Sequence, residues 1–214
     1  MSAKLNERKL KILKSLLERG VASVAELQRA TGIPRSSLNH HLSILTRDGY
    51  IRQKRKGKEL LCSVEPIYIQ RMRVKLGMNA PKALISGYTF HPNNPDTRTL
   101  RVVERAVNLL KKEGVNIDRT IAFTTPLARR KIREEGVMHG DEEIEFDIEV
   151  YQNDINKIKK RMKRVIEKNL LNYELIVDLT PLTKLYTIVA LSFAKEYGVK
   201  TIYHAGKKLI WILR

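Results

Sequence analysis

The 214-residue sequence predicts an α/β domain with a mostly parallel sheet, preceded by a smaller domain of helices closed by a β-hairpin. Three observations predict it. Between Ser23 and Lys58 a capped short helix, a Gly-Ile-Pro break, a second amphipathic helix and a basic hairpin follow in order. From Lys82 onward, short apolar runs alternate with amphipathic stretches of helical period. Positive charge is densest in the first part: 17 Lys and Arg against 6 Asp and Glu up to Ala80, then 24 against 17 from Pro81.

In the first domain, Leu10, Leu13, Leu16 and Leu17 give a supporting helix its apolar face. Ser23 and Glu26 have the S-x-x-E spacing of a capping box, which starts a helix running to about Thr31. Gly32-Ile33-Pro34 breaks it. A second helix spans Arg35 to Arg47, because Leu38, Leu42 and Leu45 recur at helical spacing and share one buried stripe. The opposite stripe is Ser36, Asn39, His40 and Ser43, with Ser37 in the first turn and Arg35 and Arg47 at the ends. Short polar side chains flanked by cations suit a helix lying in a major groove, where donors and acceptors meet base edges and cations meet phosphates. After Asp48-Gly49 a strand from Tyr50 to Arg55 turns at Lys56-Gly57-Lys58 and returns over Glu59 to Val64. Arg52, Lys54, Arg55, Lys56 and Lys58 crowd the tip of this hairpin, where a wing touches the DNA backbone. The assembled parts are those of a winged helix-turn-helix, and SSLNHHLSILTRDGYI resembles the winged-helix regulators of the ArsR and MarR kind. Double-stranded DNA is the first expected partner. A winged helix used only for protein contacts or dimerisation is the alternative.

Composition limits the other classes. A net charge of +18 favours polyanionic partners. No apolar run approaches membrane-spanning length and the start lacks a secretory core, so the expectation is a cytoplasmic protein without a membrane partner. The single cysteine, Cys62, rules out an internal disulfide framework and reads as a buried wing-strand thiol. The five histidines, His40, His41, His91, His139 and His204, are scattered, so no metal site, cofactor or catalytic constellation is expected. The acidic run from Gly140 to Glu145 reads as a solvated loop entering a strand.

The domain boundaries are expected at 1–66 for the winged helix, 67–81 for a connecting helix and hinge, and 82–214 for the α/β domain. The connector either packs on a second copy or is a plain linker. Strands are expected at Lys82–Ser86, Thr120–Thr124, Ile144–Tyr151, Leu175–Leu179, Lys200–Tyr203 and Lys208–Leu213. Helices are expected at Arg98–Glu113, Pro126–Glu135, Asp154–Asn169 and Leu182–Tyr197. Such a Rossmann-like sheet binds ligands beyond the carboxyl ends of its strands. The residues there are Gly87, Tyr88, Thr89 and Phe90; Thr124 and Thr125; Gln152 and Asn153; and Thr180, Pro181, Leu182, Thr183 and Lys184. No G-x-G-x-x-G or G-x-x-x-x-G-K-[ST] accompanies them, which disfavours a dinucleotide dehydrogenase and a P-loop NTPase. Hydroxyls, a helix start and one lysine suit a phosphate-bearing or polar nucleotide ligand.

The tract Ile176-Val177-Asp178-Leu179-Thr180-Pro181-Leu182-Thr183-Lys184, with the helix and strand that follow, resembles the second motif of CRISPR-associated Rossmann-fold (CARF) domains. The resemblance implies a homodimer that binds a cyclic oligoadenylate, cyclic tetra-adenylate first, or another nucleotide across two crevices and regulates CRISPR-related genes. This sequence departs from the family in having Pro181-Leu182 where a Gly-Gly pair often sits, and in placing the winged helix first. Two alternatives stay open. One is a ring nuclease in which Lys184 stabilises the scissile phosphate and Thr180 or Ser86 positions the attacking hydroxyl, though the sequence offers no obvious general base. The other is a DNA-binding regulator whose α/β domain only dimerises or takes an unrelated ligand.

Overall fold

The computed structural model describes residues 5–90, 97–181 and 183–214, and the chain divides into two compact units, Met1–Asn79 and Ala80–Arg214. Leu182 therefore lies outside the described residues. In the first unit, α1 (Glu7–Arg19) is capped by Asn6, whose side chain accepts from the Lys9 N–H at 3.1 Å, and it buries Ile12, Leu13, Leu16 and Leu17. Leu10 is half-buried at the edge of this face. A two-residue strand, β1 (Ala22–Ser23), leads into α2 (Val24–Thr31). The Ser23–Glu26 capping box forms there: Ser23 N–H donates to the Glu26 carboxylate at 2.7 Å and Glu26 N–H to Ser23 Oγ at 3.3 Å. Gly32 ends the helix in the left-handed region at φ 67°, which a side chain would strain.

Next comes α3 (Arg35–Arg47), whose Leu38, Leu42 and Leu45 are buried as their spacing requires. The wing is β2 (Ile51–Lys56) paired antiparallel with β3 (Glu59–Val64), in a three-stranded sheet ordered β1-β3-β2. Cys62 is buried on β3, and burial pushes its thiol pKa up. The helix expected after the wing is α4 (Pro66–Leu76), which packs against α1 within the first unit.

The second unit runs β4 (Lys82–Gly87), α5 (Val102–Lys112), β5 (Arg119–Thr124), α6 (Pro126–Glu134), β6 (Glu142–Glu145), α7 (Ile148–Asn153), α8 (Ile155–Asn169), β7 (Glu174–Asp178), α9 (Lys184–Tyr197), β8 (Lys200–Ala205) and β9 (Lys208–Leu213). Its six strands are ordered β6-β5-β4-β7-β8-β9, with β9 alone antiparallel to its neighbour. The chain moves outward from β4 to β5 and β6, then returns to the other side of β4 as β7. Right-handed crossovers then place α5 and α9 on opposite faces, and the direction of winding reverses between β4 and β7. Side chains follow that split. Leu84 and Ile176 pack with Ala106 and Leu110 of α5, whereas the Phe123 ring meets Tyr186 of α9.

Two expectations are corrected. The strand expected over Ile144–Tyr151 ends at Glu145, and Ile148–Asn153 is helical instead. Ile144, Phe146, Ile148 and Val150 alternate as a strand would, but the ladder stops when Phe146 N–H donates to the Thr124 carbonyl at 3.0 Å. The helical turn then swings Tyr151 into the core, where its hydroxyl donates to the same carbonyl at 2.9 Å. The acidic run is likewise not a solvated loop. Glu142 pairs with Arg119 and Lys168, each at 2.9 Å; Glu143 with Arg129 at 2.7 Å and Arg133 at 3.2 Å; and Glu145 with Arg129. The bond from Lys168, chiefly, holds the Glu142 carboxyl below its usual range. The run thus forms a charged edge strand, which discourages pairing with another chain's edge. Gly140 permits it to pass over β5, since a Cβ there would lie 2.7 Å from the Ala122 Cβ. No described helix is long and apolar enough to cross a membrane.

Candidate nucleic-acid interface and ligand crevice

On α3 the exposed positions are those the sequence marks: Arg35, Ser36, Asn39, His40, Ser43 and Arg47, with Ser37 half-buried. Arg47 donates to Asp48 at 3.3 Å, a solvent-exposed pair that water weakens. The stripe offers hydroxyl, amide and imidazole groups within three helical turns. On the wing Arg52, Lys54, Arg55, Lys56 and Lys58 are all exposed. Strand alternation divides them. Arg52, Lys54 and Lys56 share one face of β2, while Arg55 lies on the face of Ile51 and Gln53, beyond the core. Arg52 is steadied by a 3.1 Å bond to Ser63 Oγ.

His41 faces the other way. It is buried, neither ring nitrogen has a hydrogen-bond partner, and burial first, then His40, Arg8 and Lys9, holds its pKa below the usual 6.5. The unfolded chain therefore takes up this proton before the folded one, and stability is lost as pH falls through about 6.5. Melting the protein at about pH 7.5 and about pH 5.5 should show the transition of this unit falling on acidification, and His41→Leu should remove most of that fall. An equal fall in the variant would assign the effect to other groups.

In the second unit the winding reverses between β4 and β7, so the carboxyl ends of these strands are the switch point at which sheets of this kind hold their ligand crevice. Its floor is polar and fully buried. Asp178 has no exposed surface; one carboxyl oxygen accepts from Ser86 Oγ at 2.8 Å and the other from the Thr180 N–H at 2.9 Å. His204, 2% exposed, brings Nε2 to 3.5 Å from the same oxygen that Ser86 uses. Its backbone N–H donates to Thr180 Oγ1 at 2.9 Å, which ties β8 to the turn after β7. Tyr186 of α9 donates to the Ser86 carbonyl at 3.5 Å; burial and then the Asp178 charge push its hydroxyl pKa well up. Sequence reading left Asp178 and His204 out of the site. The only local signal was the Asp-x-Thr turn, in which the carboxyl bonds the N–H two residues on.

The residues expected to line the crevice separate into groups. Thr180 is half-buried, Pro181 buried, and Lys184 exposed in the first turn of α9. Thr183 caps α9 by accepting from the Tyr186 N–H at 3.4 Å, while its hydroxyl donates to the Tyr151 carbonyl at 2.5 Å. Gly87 ends β4 and is buried. Tyr88 turns away from the crevice: its ring sits among Leu100, Val103 and Ile132, and its hydroxyl donates to Glu143. Burial and that bond push its pKa far up. Thr89 is held through its carbonyl by Thr99 Oγ1 at 2.6 Å, and Phe90 packs on the Tyr88 cluster. Thr124 is buried, and Thr125 caps α6 through Ala128 at 3.2 Å. Gln152 and Asn153 are exposed on α7 rather than at a strand end; the residues that follow β6 are Phe146 and Asp147. Among the described residues no cluster of three or more His, Cys, Asp or Glu is set to hold a metal.

Residues 5–52 match a family described as winged helix-turn-helix DNA-binding. No curated protein matches the chain. Among solved structures, HlyU from Vibrio cholerae N16961 is 31% identical over 33% of this chain and 76% of its own, with a TM-score of 0.31. The AntR antimony-specific transcriptional repressor is 22% identical over 34% and 67%, at 0.32. Can2 from Sulfobacillus thermosulfidooxidans, solved with cyclic tetra-adenylate, is 13% identical over 61% of this chain and 34% of its own, at 0.42. The α3 stripe and most of the fold that holds it thus lie in a segment, residues 5–52, that matches the winged helix-turn-helix DNA-binding family, and a Rossmann-like α/β domain follows it.

Proposed function

We propose that the protein is a ligand-responsive transcription regulator, a homodimer whose winged helices bind a two-fold operator and whose strand-end crevices bind a cyclic oligoadenylate. The observation that carries the DNA half is the exposed polar stripe of α3 inside the segment that matches the DNA-binding family. The ligand half is supported by the place of Thr180, Thr183 and Lys184, where the winding reverses and a helix start presents backbone N–H groups to an anion. The reading is of a receptor rather than a ring-cleaving enzyme, because the His and Asp nearest the crevice are buried in its floor and tied to the fold. The role of α3 is tested by Asn39→Ala, which should relax operator preference by ~1 to 3 kcal/mol while leaving non-specific binding intact. An unchanged footprint would remove Asn39 from base reading.

The ligand half is tested by melting the protein with cyclic tetra-adenylate, the molecule in the Can2 complex, and with the larger cyclic hexa-adenylate. A ligand bound only by the folded state must raise the transition. Lys184→Ala should abolish the shift without altering the unliganded midpoint, since the residue is exposed. Light scattering should report twice the 24.7 kDa chain mass. A monomer, or no shift with either ring, would leave a DNA-binding protein without this sensor.

A further inference from the structure

Most of the net charge of the second unit is carried by one helix. Ala80–Arg214 carries a net +7, and α8 alone carries seven Lys and Arg against a single Glu, a net +6. The remainder of the unit is close to neutral. The helix has an apolar stripe too, Ile158, Met162, Val165 and Ile166, but all four are buried in the unit, where α8 packs against α9. A basic helix that inserts into a lipid surface keeps an apolar face free for the acyl chains, and α8 has none left. Its outer face can act only as charge.

That face is organised. Lys157, Lys160, Arg161 and Arg164 stand at i, i+3, i+4 and i+7 and line a cavity of about 190 Å³ beside Phe146, the first residue beyond β6. Lys157 is paired with Asp154 at 3.4 Å, and the Arg161 guanidinium lies 5.8 Å from the centre of the Phe146 ring. Lys160 and Arg164 have no ion-pair partner among the described residues. Like charges one turn apart repel, and a string of phosphates relieves that repulsion. The four cations span two turns, roughly 10 Å, which is on the scale of two or three consecutive backbone phosphates.

We propose that this α8 face is a second DNA contact, holding the phosphodiester backbone of duplex outside the operator that α3 reads. The occupant is the DNA molecule already held by the winged helix, which the continuous chain keeps at high effective concentration near the second unit. Because α8 would meet phosphates only, its contribution is independent of flanking sequence and falls with salt.

The test uses the full-length protein and two duplexes, one limited to the operator and one extended by about 20 base pairs, two helical turns, on each side. The quadruple variant K157Q/K160Q/R161Q/R164Q should bind the short duplex as the wild type does. On the long duplex it should lose affinity, and the plot of log affinity against log salt should flatten by about 2 to 3. The charge-retaining variant K157R/K160R/R161K/R164K should restore the wild-type slope. An unchanged slope on the long duplex, equal losses on both duplexes, or a charge-retaining variant that behaves like the neutral one would each overturn the proposal. Wild-type binding to neither duplex would overturn the winged-helix reading along with it. Loss of binding to phosphatidylserine vesicles, with both duplexes unaffected, would assign the face to an anionic membrane instead.

Discussion

Replacing Arg52, Lys54, Lys56 and Lys58 of the wing by glutamine should lower affinity for every duplex by roughly a thousandfold near 0.15 M salt, and flatten the salt dependence by ~3 to 4. The expectation rests on exposure and placement. Three of these cations share one face of β2 and the fourth stands at the hairpin tip, so each can displace a counterion from the backbone. None is buried, so folding should be unaffected, as the melting profile would show. Operator preference should survive, because the stripe proposed to read bases lies on α3. A variant that lost preference along with affinity, or one that kept its salt slope, would mean that the wing does not follow the backbone. Arg55→Gln alone should do little, since its side chain starts from the opposite face of the strand.

Asp178→Ala should destabilise the second unit by ~3 to 5 kcal/mol, measured by denaturant melts with the winged-helix transition as internal reference. Removing the carboxyl leaves the buried Ser86 hydroxyl and the half-buried Thr180 N–H without their acceptor. His204 adds less. Its 3.5 Å approach is within ion-pair range, yet neither ring nitrogen makes a hydrogen bond, so the two bonded donors carry the expected loss. Asp178→Asn keeps one carbonyl oxygen and most of the volume, and should cost about half as much. A loss below about 1 kcal/mol for Asp178→Ala would show the floor of the crevice to be solvated rather than sealed.

What could be read from the sequence is what short-range physics decides. The Ser23–Glu26 box, the Leu38-Leu42-Leu45 stripe and the hairpin around Gly57 are each fixed by residues a few positions apart, and each stands where its pattern put it. The errors arose where two local rules competed or where partners were remote. Phe146, Ile148 and Val150 satisfy the period of a strand, but the core draws in Tyr151 through a helical turn. Tyr88 follows a strand and carries a hydroxyl, so it reads as a crevice residue; its true partner, Glu143, lies 55 positions further on. His204 reads as one histidine among five. Only the adjacency of β7 and β8 brings it to Asp178, and no pattern within β8 announces that. The two residues of β1 are too few to leave any periodic signal.

The 92 positions between Ser86 and Asp178 also fix when the crevice can exist during folding. The β2–β3 hairpin closes over a two-residue turn, and β4 meets β5 after one intervening helix. The β4–β7 pairing must instead close a loop of some ninety residues, a chain-entropy cost of about 4 kcal/mol beyond the constant term. Nothing rewards that closure until β7 has docked, so the local elements gain protection from exchange first and the β4–β7 amides last. On a ribosome the winged helix emerges complete while Asp178 is still unsynthesised. A nascent chain thus forms the surface assigned above to DNA well before the floor of its crevice, and on the proposed reading newly made protein would pass through an interval in which it could hold DNA without responding to a ligand.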